Sequence, residues 1–144
     1  MAGVRVVIFR DDGKICCVRH GYGVRDWNVP GGGIDQGESV LDAANREVLE
    51  ETNQRIRIDG LIGLYSVPKS RDLMPLFSAS LLSADTWTPN DEIAEMDYFQ
   101  FGDLPKPMHP CVIRCLRDAA DGRRGVVRVL GSDGSVNDDI DHVH

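Results

Sequence analysis

Short runs of apolar residues alternate with polar turn residues along most of this chain of 144 residues. The runs richest in apolar and β-branched residues predict strands. They cover residues 4–9, 14–20, 27–29, 61–67, 76–82, 96–101 and 126–130, the last as an edge strand. In the second run, Cys16 and Cys17 are adjacent and therefore point to opposite faces of a sheet. Apolar residues on both faces predict a strand that is covered on both sides.

Two stretches with helical periodicity interrupt the strands. The first begins at Ser39, where Asp42 three residues later makes a loose variant of a capping box. The second begins at Pro110 and is closed by Gly122. The predicted packing residues are Leu41, Ala44, Val48 and Leu49 in the first helix and Val112, Ile113, Leu116 and Ala119 in the second. Mixed strands with two helices predict an α/β fold, arranged as an α/β/α sandwich.

A glycine-rich turn at 31–33 stands directly before the first helix, and three glutamates follow within that helix. Residues three and four apart share a helix face, so Glu47 lies beside both Glu50 and Glu51. Clustered carboxylates repel one another, and a hard divalent cation with oxygen ligands is the usual compensation. A solvated acidic helix face is the alternative interpretation, but such a face does not need the glycines in front of it.

The spacing of these residues resembles the Nudix box, G-x5-E-x7-R-E-U-x-E-E-x-G-U, where U is a bulky aliphatic residue. The matching positions are Gly32, Glu38, Arg46, Glu47, Val48, Glu50 and Glu51. Two positions depart from the box, since Asn53 replaces its last glycine and Gln54 its last aliphatic residue. A glycine just past a helix usually takes a left-handed conformation, which asparagine also tolerates. Gln54 costs apolar packing, and neither departure changes an expected metal ligand.

The resemblance covers about residues 3–121, and it implies the Nudix fold with a mixed β-sheet. Residues 1–130 are then a single Nudix hydrolase domain. The implied activity is that of a divalent-metal-dependent pyrophosphohydrolase. Its substrate would be a nucleoside diphosphate linked to another moiety, such as a nucleoside triphosphate, a nucleotide sugar or ADP-ribose, attacked by a metal-activated water. The alternative is a non-catalytic Nudix domain that binds a nucleotide or a protein partner, which only Asn53 and Gln54 favour.

The carboxylates have different expected roles. Glu50 and Glu51 are the best candidates for metal ligands, and Glu47 either completes the metal site or acts as a general base. The family often needs a further carboxylate outside the box, for which Glu92 is the best match and Glu95 the second. Mg²⁺ is the expected ion, because the candidate ligands are all oxygen donors and no histidine lies in the cluster; Mn²⁺ could substitute.

Other residues of the box are expected to support the site. The absence of side chains at Gly31, Gly32 and Gly33 lets backbone groups approach the metal and the phosphates closely. Arg46 is expected to orient carboxylates, with an ordinary helix ion pair as the alternative. Glu38 is expected either to anchor the start of the helix or to serve as an outer ligand.

The net charge of −7 is concentrated in two segments. Residues 31–53 carry −5 and the residues from 131 onward carry −4, which leaves +2 for the rest of the chain. Proteins that bind nucleic-acid polymers carry basic stripes, so a polymer is not the expected partner. A small nucleotide-type phosphoanhydride substrate that binds together with a cation is compatible with this charge distribution. A homodimer is also compatible with it.

Several sequence features bear on location and on the C-terminus. No apolar run is long enough for a transmembrane helix, and no signal peptide is evident, so a cytoplasmic protein with no membrane partner is expected. The four cysteines are expected to be reduced core residues, with a zinc or redox pair at Cys111 and Cys115 as the alternative. Residues 131–144 are polar and acidic and are expected to form a flexible tail.

Overall fold

The computed structural model describes residues 3–141, and within them it contains nine strands and two α-helices. The strands are β1 (Gly3–Phe9), β2 (Ile15–His20), β3 (Trp27–Asn28), β4 (Gly31–Gly33), β5 (Gln54–Val67), β6 (Asp72–Ala84), β7 (Ile93–Phe99), β8 (Val126–Leu130) and β9 (Val136–Ile140). The helices are α1 (Val40–Thr52) and α2 (Pro110–Ala120), and a short 3₁₀ turn covers Phe101–Asp103.

The strands form one mixed sheet in the order β3-β2-β1-β6-β5-β8-β9. In addition, β4 pairs with β1 and β7 pairs with β2. The β1–β6 and β5–β8 pairs are parallel, whereas the other pairs are antiparallel. α1 packs on one face of the sheet and α2 on the other. The predicted α/β/α sandwich with a mixed sheet is therefore confirmed.

The two adjacent cysteines of β2 contribute to different layers of the core. Cys16 packs in the layer that contains Val48 of α1, whereas Cys17 packs in the layer that contains Leu116 of α2. Both cysteines are fully buried. Alternation along the strand thus places one thiol on each face, as the sequence predicts.

The packing side of α1 differs from the predicted one. Leu41 and Leu49 are 48% and 39% exposed, whereas Ala43 is fully buried. The helix is rotated so that Glu47 and Glu51 also face the sheet, where both are buried. Periodicity alone assigns the large apolar residues to the core, but the small alanines allow α1 to approach the strands closely.

The described part of the C-terminal segment, residues 131–141, differs from its prediction as a flexible tail, and residues 142–144 lie outside the described residues. Val136–Ile140 forms β9, which pairs with β8, so β8 is not an edge strand. Arg128 of β8 is 3% exposed and makes ion pairs of 2.7 Å to Asp139 and 3.0 Å to Asp141. A buried guanidinium needs carboxylate partners, and Asp139 of β9 and Asp141 just after this strand supply two of them.

No helix between residues 3 and 141 is long and apolar enough to cross a membrane. The cytoplasmic location stays a prediction.

Candidate active site

The glycine strand β4 lies directly against β1. A Cβ atom on Gly31 would overlap the Val4 carbonyl oxygen and would lie 2.9 Å from Arg5 Cα. A Cβ atom on Gly32 would lie 2.6 Å from Glu47 Oε1, whereas one on Gly33 would meet nothing within 4 Å. The first two glycines therefore allow β4 to pass close to β1 and to a helix carboxylate. Their predicted contact with a cation and with phosphates stays a prediction.

Side-chain and backbone caps hold both ends of α1. Ser39 accepts a hydrogen bond of 3.0 Å from the Asp42 N–H, as expected of a residue that caps a helix start. Asn53 ends the helix in the left-handed region with φ of 55°, and its N–H donates to the Leu49 carbonyl. The predicted tolerance of asparagine at this position is confirmed, so the departure from the box does not disturb the helix.

The second departure from the box leaves a polar atom without a partner. Gln54 is 3% exposed, and its Oε1 is one of the few buried polar side-chain atoms of residues 3–141 that have no hydrogen bond. An unpaired polar group in the core costs free energy. The predicted cost of Gln54 at this position therefore takes the form of an amide oxygen that has no hydrogen-bond partner.

The three glutamates of α1 lie in three different environments. The Glu51 side chain is only 2% exposed, and its Oε1 accepts a hydrogen bond of 2.9 Å from the Gly31 N–H. Glu47 is 11% exposed in its side chain and lies against Gly32. Glu50 is 53% exposed and contacts the neighbouring arginine, Arg46, at 3.2 Å. The helix thus points one carboxylate into the protein, one along the glycine strand and one outward.

Arg46 connects the carboxylates of the box. Its Nε and Nη2 donate to the two oxygens of Glu38 at 2.6 Å and 3.0 Å, a bidentate pair. Its Nη1 donates to Glu47 at 3.0 Å and to Glu50 at 3.2 Å, and its Nη2 also donates to the Gly33 carbonyl at 3.0 Å. Arg46 therefore joins the loop before α1 to the helix and positions two of the three helix glutamates.

Two side chains from outside α1 approach Glu51. The imidazole Nε2 of His20 lies 3.8 Å from Glu51 Oε2. Ligand atoms of His20, Glu51 and Glu92 all lie within 4.8 Å of one another. Glu95, the second candidate for the further carboxylate, instead pairs with Arg19 at 3.1 Å. Between the two candidates, the structure brings Glu92 to the cluster and leaves Glu95 outside it.

The expectation that no histidine lies in the cluster is wrong. His20 follows an irregularity in the β2–β7 pairing, where Arg19 pairs with Glu95 but His20 pairs with Ile93. Such a bulge bends a strand and redirects the side chain. Neither the bulge nor the pairing of β2 with a distant strand can be read from local sequence, so spacing alone does not find this residue.

The sequence model of the NUDIX domain matches residues 1–119. The chain belongs to the Nudix hydrolase family. As a Nudix hydrolase, it is an enzyme that acts on phosphoric anhydride bonds. The resemblance deduced from residues 32–54 is thereby confirmed, together with the fold that it implies.

Individual relatives agree with this assignment. A provisionally named 8-oxo-dGTP diphosphatase from Bacillus subtilis is 33% identical over 124 residues, which cover 86% of this chain and 83% of the relative. A Nudix hydrolase structure from Nitrosomonas europaea has a TM-score of 0.73 and 28% identity, covering 86% of this chain and 90% of that one. An ADP-ribose pyrophosphatase structure from Streptococcus suis has a TM-score of 0.72 and 26% identity, covering 84% and 90%.

Burial changes the acidity of two glutamates in this Nudix hydrolase. Burial raises the pKa of Glu51 to about 7, although the Gly31 N–H and nearby Arg5 oppose that change. Burial also raises the pKa of Glu47, against the effect of Arg46. A carboxylate that is taken out of water without enough positive charge resists ionisation. Both groups therefore lie where an added cation would stabilise their charged forms.

The donor set fits a divalent cation, which Nudix hydrolases generally need. Among residues 3–141, no hydrogen bond reaches Glu51 Oε2, and this oxygen faces His20 at 3.8 Å. Carboxylate oxygens from Glu47, Glu51 and Glu92 are the hard ligands that such a cation prefers. The residues present therefore fit the metal ion that the family implies.

A cleft beside the glycine strand can hold a substrate. It consists of two cavities of about 490 Å³ and about 820 Å³ that share Arg5, Asn28 and Val67 among their walls. The smaller cavity reaches Gly32 and the larger one reaches His20. Cavities of this size hold small molecules. The cleft thus borders the glycine strand and His20, two parts of the protein that contact the carboxylates of α1.

Proposed function

We propose that this Nudix hydrolase cleaves the pyrophosphate linkage of a small nucleotide-type substrate. The substrate class is a nucleoside diphosphate linked to another moiety: a nucleoside triphosphate, a nucleotide sugar or ADP-ribose. The names of the similar proteins, which refer to 8-oxo-dGTP and ADP-ribose, support this class. The observation that carries the proposal is the buried Glu51 carboxylate beside His20 of the cleft wall, with one oxygen that receives no hydrogen bond from residues 3–141.

Glu47, Glu50 and Glu51 would hold the divalent cation, with Mg²⁺ as the expected ion and Mn²⁺ as a substitute. When bound, such an ion neutralises phosphate charge and makes a water molecule more acidic. Glu50 is free to turn toward the cation because its side chain is half exposed and its contact with Arg46 lies at the surface. Glu47 or Glu92 would take the proton from the attacking water, since both carboxylates lie beside Glu51.

Arg46 and Glu38 act as positioning residues in this proposal. Arg46 holds the Glu47 carboxylate against Gly32, so that it stays at the glycine strand. Glu38 accepts from the Asp35 N–H as well as from Arg46, which fixes the loop before α1. The guanidinium thereby sets where the box carboxylates point.

Water is the proposed nucleophile. Burial raises the pKa of Cys16 above its usual range and that of Cys17 to about 12, so neither thiol is activated as a nucleophile. Direct attack by water on a phosphorus atom gives a nucleoside monophosphate and a second phosphorylated product. Hydrolysis in oxygen-18 water with enzyme in excess should place label in one phosphate product after a single turnover.

A polymer substrate is disfavoured by the acidity around the site. RNA pyrophosphohydrolases from Bartonella bacilliformis and Pelagibacter ubique are similar to this chain, but they match 37% and 47% of it. Residues 31–53 carry a net charge of −5, which repels a polyanion.

The predicted homodimer stays a prediction.

A substrate panel tests the proposal. Release of nucleoside monophosphate is measured with Mg²⁺ over nucleoside triphosphates, 8-oxo-dGTP, nucleotide sugars, ADP-ribose, dinucleoside polyphosphates and a 5′-triphosphate RNA. We expect turnover of a small substrate, with Glu51→Gln and Glu50→Gln each lowering kcat by about a hundredfold or more. Turnover of the RNA alone would contradict the substrate class. Near-normal activity of Glu51→Gln at subsaturating Mg²⁺ would contradict the metal site.

A further inference from the structure

Glu51 presents its free oxygen to two side chains that come from outside the Nudix box. His20 lies at the end of β2, and Glu92 lies just before β7. One ligand atom from each of the three residues lies within 4.8 Å of the others, and His20 Nε2 is 3.8 Å from Glu51 Oε2. This oxygen belongs to a side chain that is only 2% exposed, accepts no hydrogen bond from residues 3–141, and faces an imidazole and a second carboxylate, so it is a place for a cation.

The backbone fixes the positions of both side chains. The bulge between Arg19 and His20 pairs His20 with Ile93, which places Glu92 next to the imidazole. The Gly21 N–H donates to the Glu92 carbonyl at 2.9 Å. Asn90 Oδ1 accepts from the N–H groups of Glu92 and Ile93 at 3.0 Å and 2.8 Å. The strand irregularity and the turn before β7 therefore hold two candidate ligands at one end of the β2–β7 pair.

We propose that His20, Glu51 and Glu92 bind a divalent transition-metal ion through one imidazole nitrogen and two carboxylate oxygens. The inference rests on the proposed function, because Glu51 is a ligand both in the proposed set of Glu47, Glu50 and Glu51 and in this second set. Ligand atoms around an ion at about 2.1 Å lie about 3–4 Å apart. The ligand atoms of the three residues lie up to 4.8 Å apart, so a small movement of the side chains toward one another would bring them to this distance. Glu92 is exposed and the His20 side chain is 28% exposed, so both can turn.

The donor set determines which ion is preferred. Oxygen ligands alone suit Mg²⁺, whereas imidazole nitrogen suits first-row transition metals. One nitrogen with two carboxylates therefore favours Mn²⁺, Fe²⁺, Co²⁺ or Zn²⁺ over Mg²⁺. The prediction of Mg²⁺ from an all-oxygen set applies to the box glutamates and does not extend to this position.

The test reads the ligand directly on the whole protein, without substrate. Mn²⁺ is added below one equivalent, and electron spin-echo envelope modulation detects nitrogen-14 coupled to the bound ion. We expect nitrogen modulation in the natural protein and its loss in His20→Asn. His109→Asn is the matched control, because His109 accepts from the Cys111 N–H at the start of α2 and asparagine can cap there too. The control should keep the modulation.

Titrations followed by the signal of free Mn²⁺ measure affinity in the same variants. His20→Asn and Glu92→Gln should each weaken Mn²⁺ binding by about tenfold or more, as expected when one ligand is lost. Glu95→Gln, a control three residues away on β7, should leave Mn²⁺ affinity unchanged. Mg²⁺ affinity, followed by calorimetry, should change by less than about threefold in His20→Asn, because Mg²⁺ gains little from imidazole.

Several outcomes would overturn the inference. Absence of nitrogen modulation in the natural protein would do so without any variant, and so would equal Mn²⁺ affinity in His20→Asn. If His20→Asn instead weakens substrate binding and leaves Mn²⁺ binding intact, the histidine contacts phosphate and the metal assignment is wrong. Failure of the inference is distinguishable from failure of the proposed function. In the first case hydrolysis persists without nitrogen modulation, and in the second nitrogen modulation persists without hydrolysis of any substrate.

Discussion

Alanine substitutions at the three consecutive glycines of β4 should have three different effects. The critical variant is Gly32→Ala, whose new Cβ would lie 2.6 Å from Oε1 and 2.7 Å from Cδ of Glu47. An ordinary contact begins at 3.4 Å, so the carboxylate must retreat by about 0.8 Å. Displacement of a catalytic group by about 1 Å can cost about a hundredfold in rate. We therefore expect kcat to fall between tenfold and a hundredfold, on the order of that cost.

Stability should change little in Gly32→Ala, because the atoms in the way are the end of a flexible side chain. Gly31→Ala behaves differently, since its Cβ would overlap the Val4 carbonyl oxygen and crowd Arg5 Cα, both of which are backbone atoms. Crowding of a packed core costs about 1–3 kcal/mol, and a backbone collision belongs at the upper end. Gly33→Ala meets nothing and has no positive φ, so it should be neutral or stabilising by about 0.5 kcal/mol.

Urea denaturation and steady-state kinetics on the three variants separate these effects. Gly33→Ala is the matched control, because it makes the same chemical change in the same strand. The reasoning would be refuted if Gly32→Ala and Gly33→Ala had the same kcat. It would also be refuted if Gly32→Ala lost activity only in proportion to lost folded protein, because the Glu47 carboxylate would then not be the group affected.

Three further changes probe the surrounding structure. Arg46→Lys keeps the charge but loses the bidentate pair with Glu38, so kcat should fall by about tenfold in steady-state assays with little change in melting temperature. Asp118→Asn should lower the free energy of unfolding by about 3 kcal/mol at pH 7, measured with urea, because it breaks a buried pair with Arg128. Burial is the largest single effect on Asp118 and opposes its charge, but hydrogen bonds from Arg128 and Tyr65 and the charges of Arg114 and Arg128 together outweigh it and lower the pKa of Asp118. This contribution should therefore be lost as the pH falls below about 4. Gln54→Met should raise the melting temperature, because it removes the buried Gln54 Oε1, an unpaired oxygen that costs about 1 kcal/mol.

Surface variants provide the controls for the first two of these changes. Arg55 and Asp85 form an exposed pair at 3.2 Å, so Arg55→Lys and Asp85→Asn should leave kcat and stability almost unchanged. A stability difference between the natural protein and Asp118→Asn that stayed constant from pH 7 down to pH 2.5 would contradict a lowered pKa. Destabilisation by Gln54→Met would show that the contact of the Gln54 amide with Tyr98 is worth more than the unpaired oxygen costs.

Local sequence determined the features that depend on neighbours along the chain. The ends of α1 follow from Ser39 and Asn53, since an N-cap hydroxyl and a left-handed residue act within one helical turn. The opposite faces of Cys16 and Cys17 follow from strand alternation. The pairing of Arg46 with Glu50 follows from their spacing of four residues in the helix. The box also identifies the family.

Tertiary structure alone decided the features that depend on distant strands. His20 and Glu92 are 72 positions apart in the sequence, and only the bulged pairing of β2 with β7 brings them to Glu51. The orientation of α1, which buries Glu51 and exposes Leu49, depends on how closely the helix can approach the sheet.

The C-terminal strand gives the same contrast. The acidic composition after residue 130 predicts a flexible tail. Composition shows that these residues are charged, but it does not show which groups they pair with in the folded protein. Arg128 of β8 supplies the partner, and pairing with Asp139 and Asp141 becomes favourable once the guanidinium is buried beside Asp118. The sequence thus determined the chemistry available to the Nudix site. The packing of strands that lie far apart in the chain decided which groups meet there, because burial and long-range pairing exist only in the folded chain.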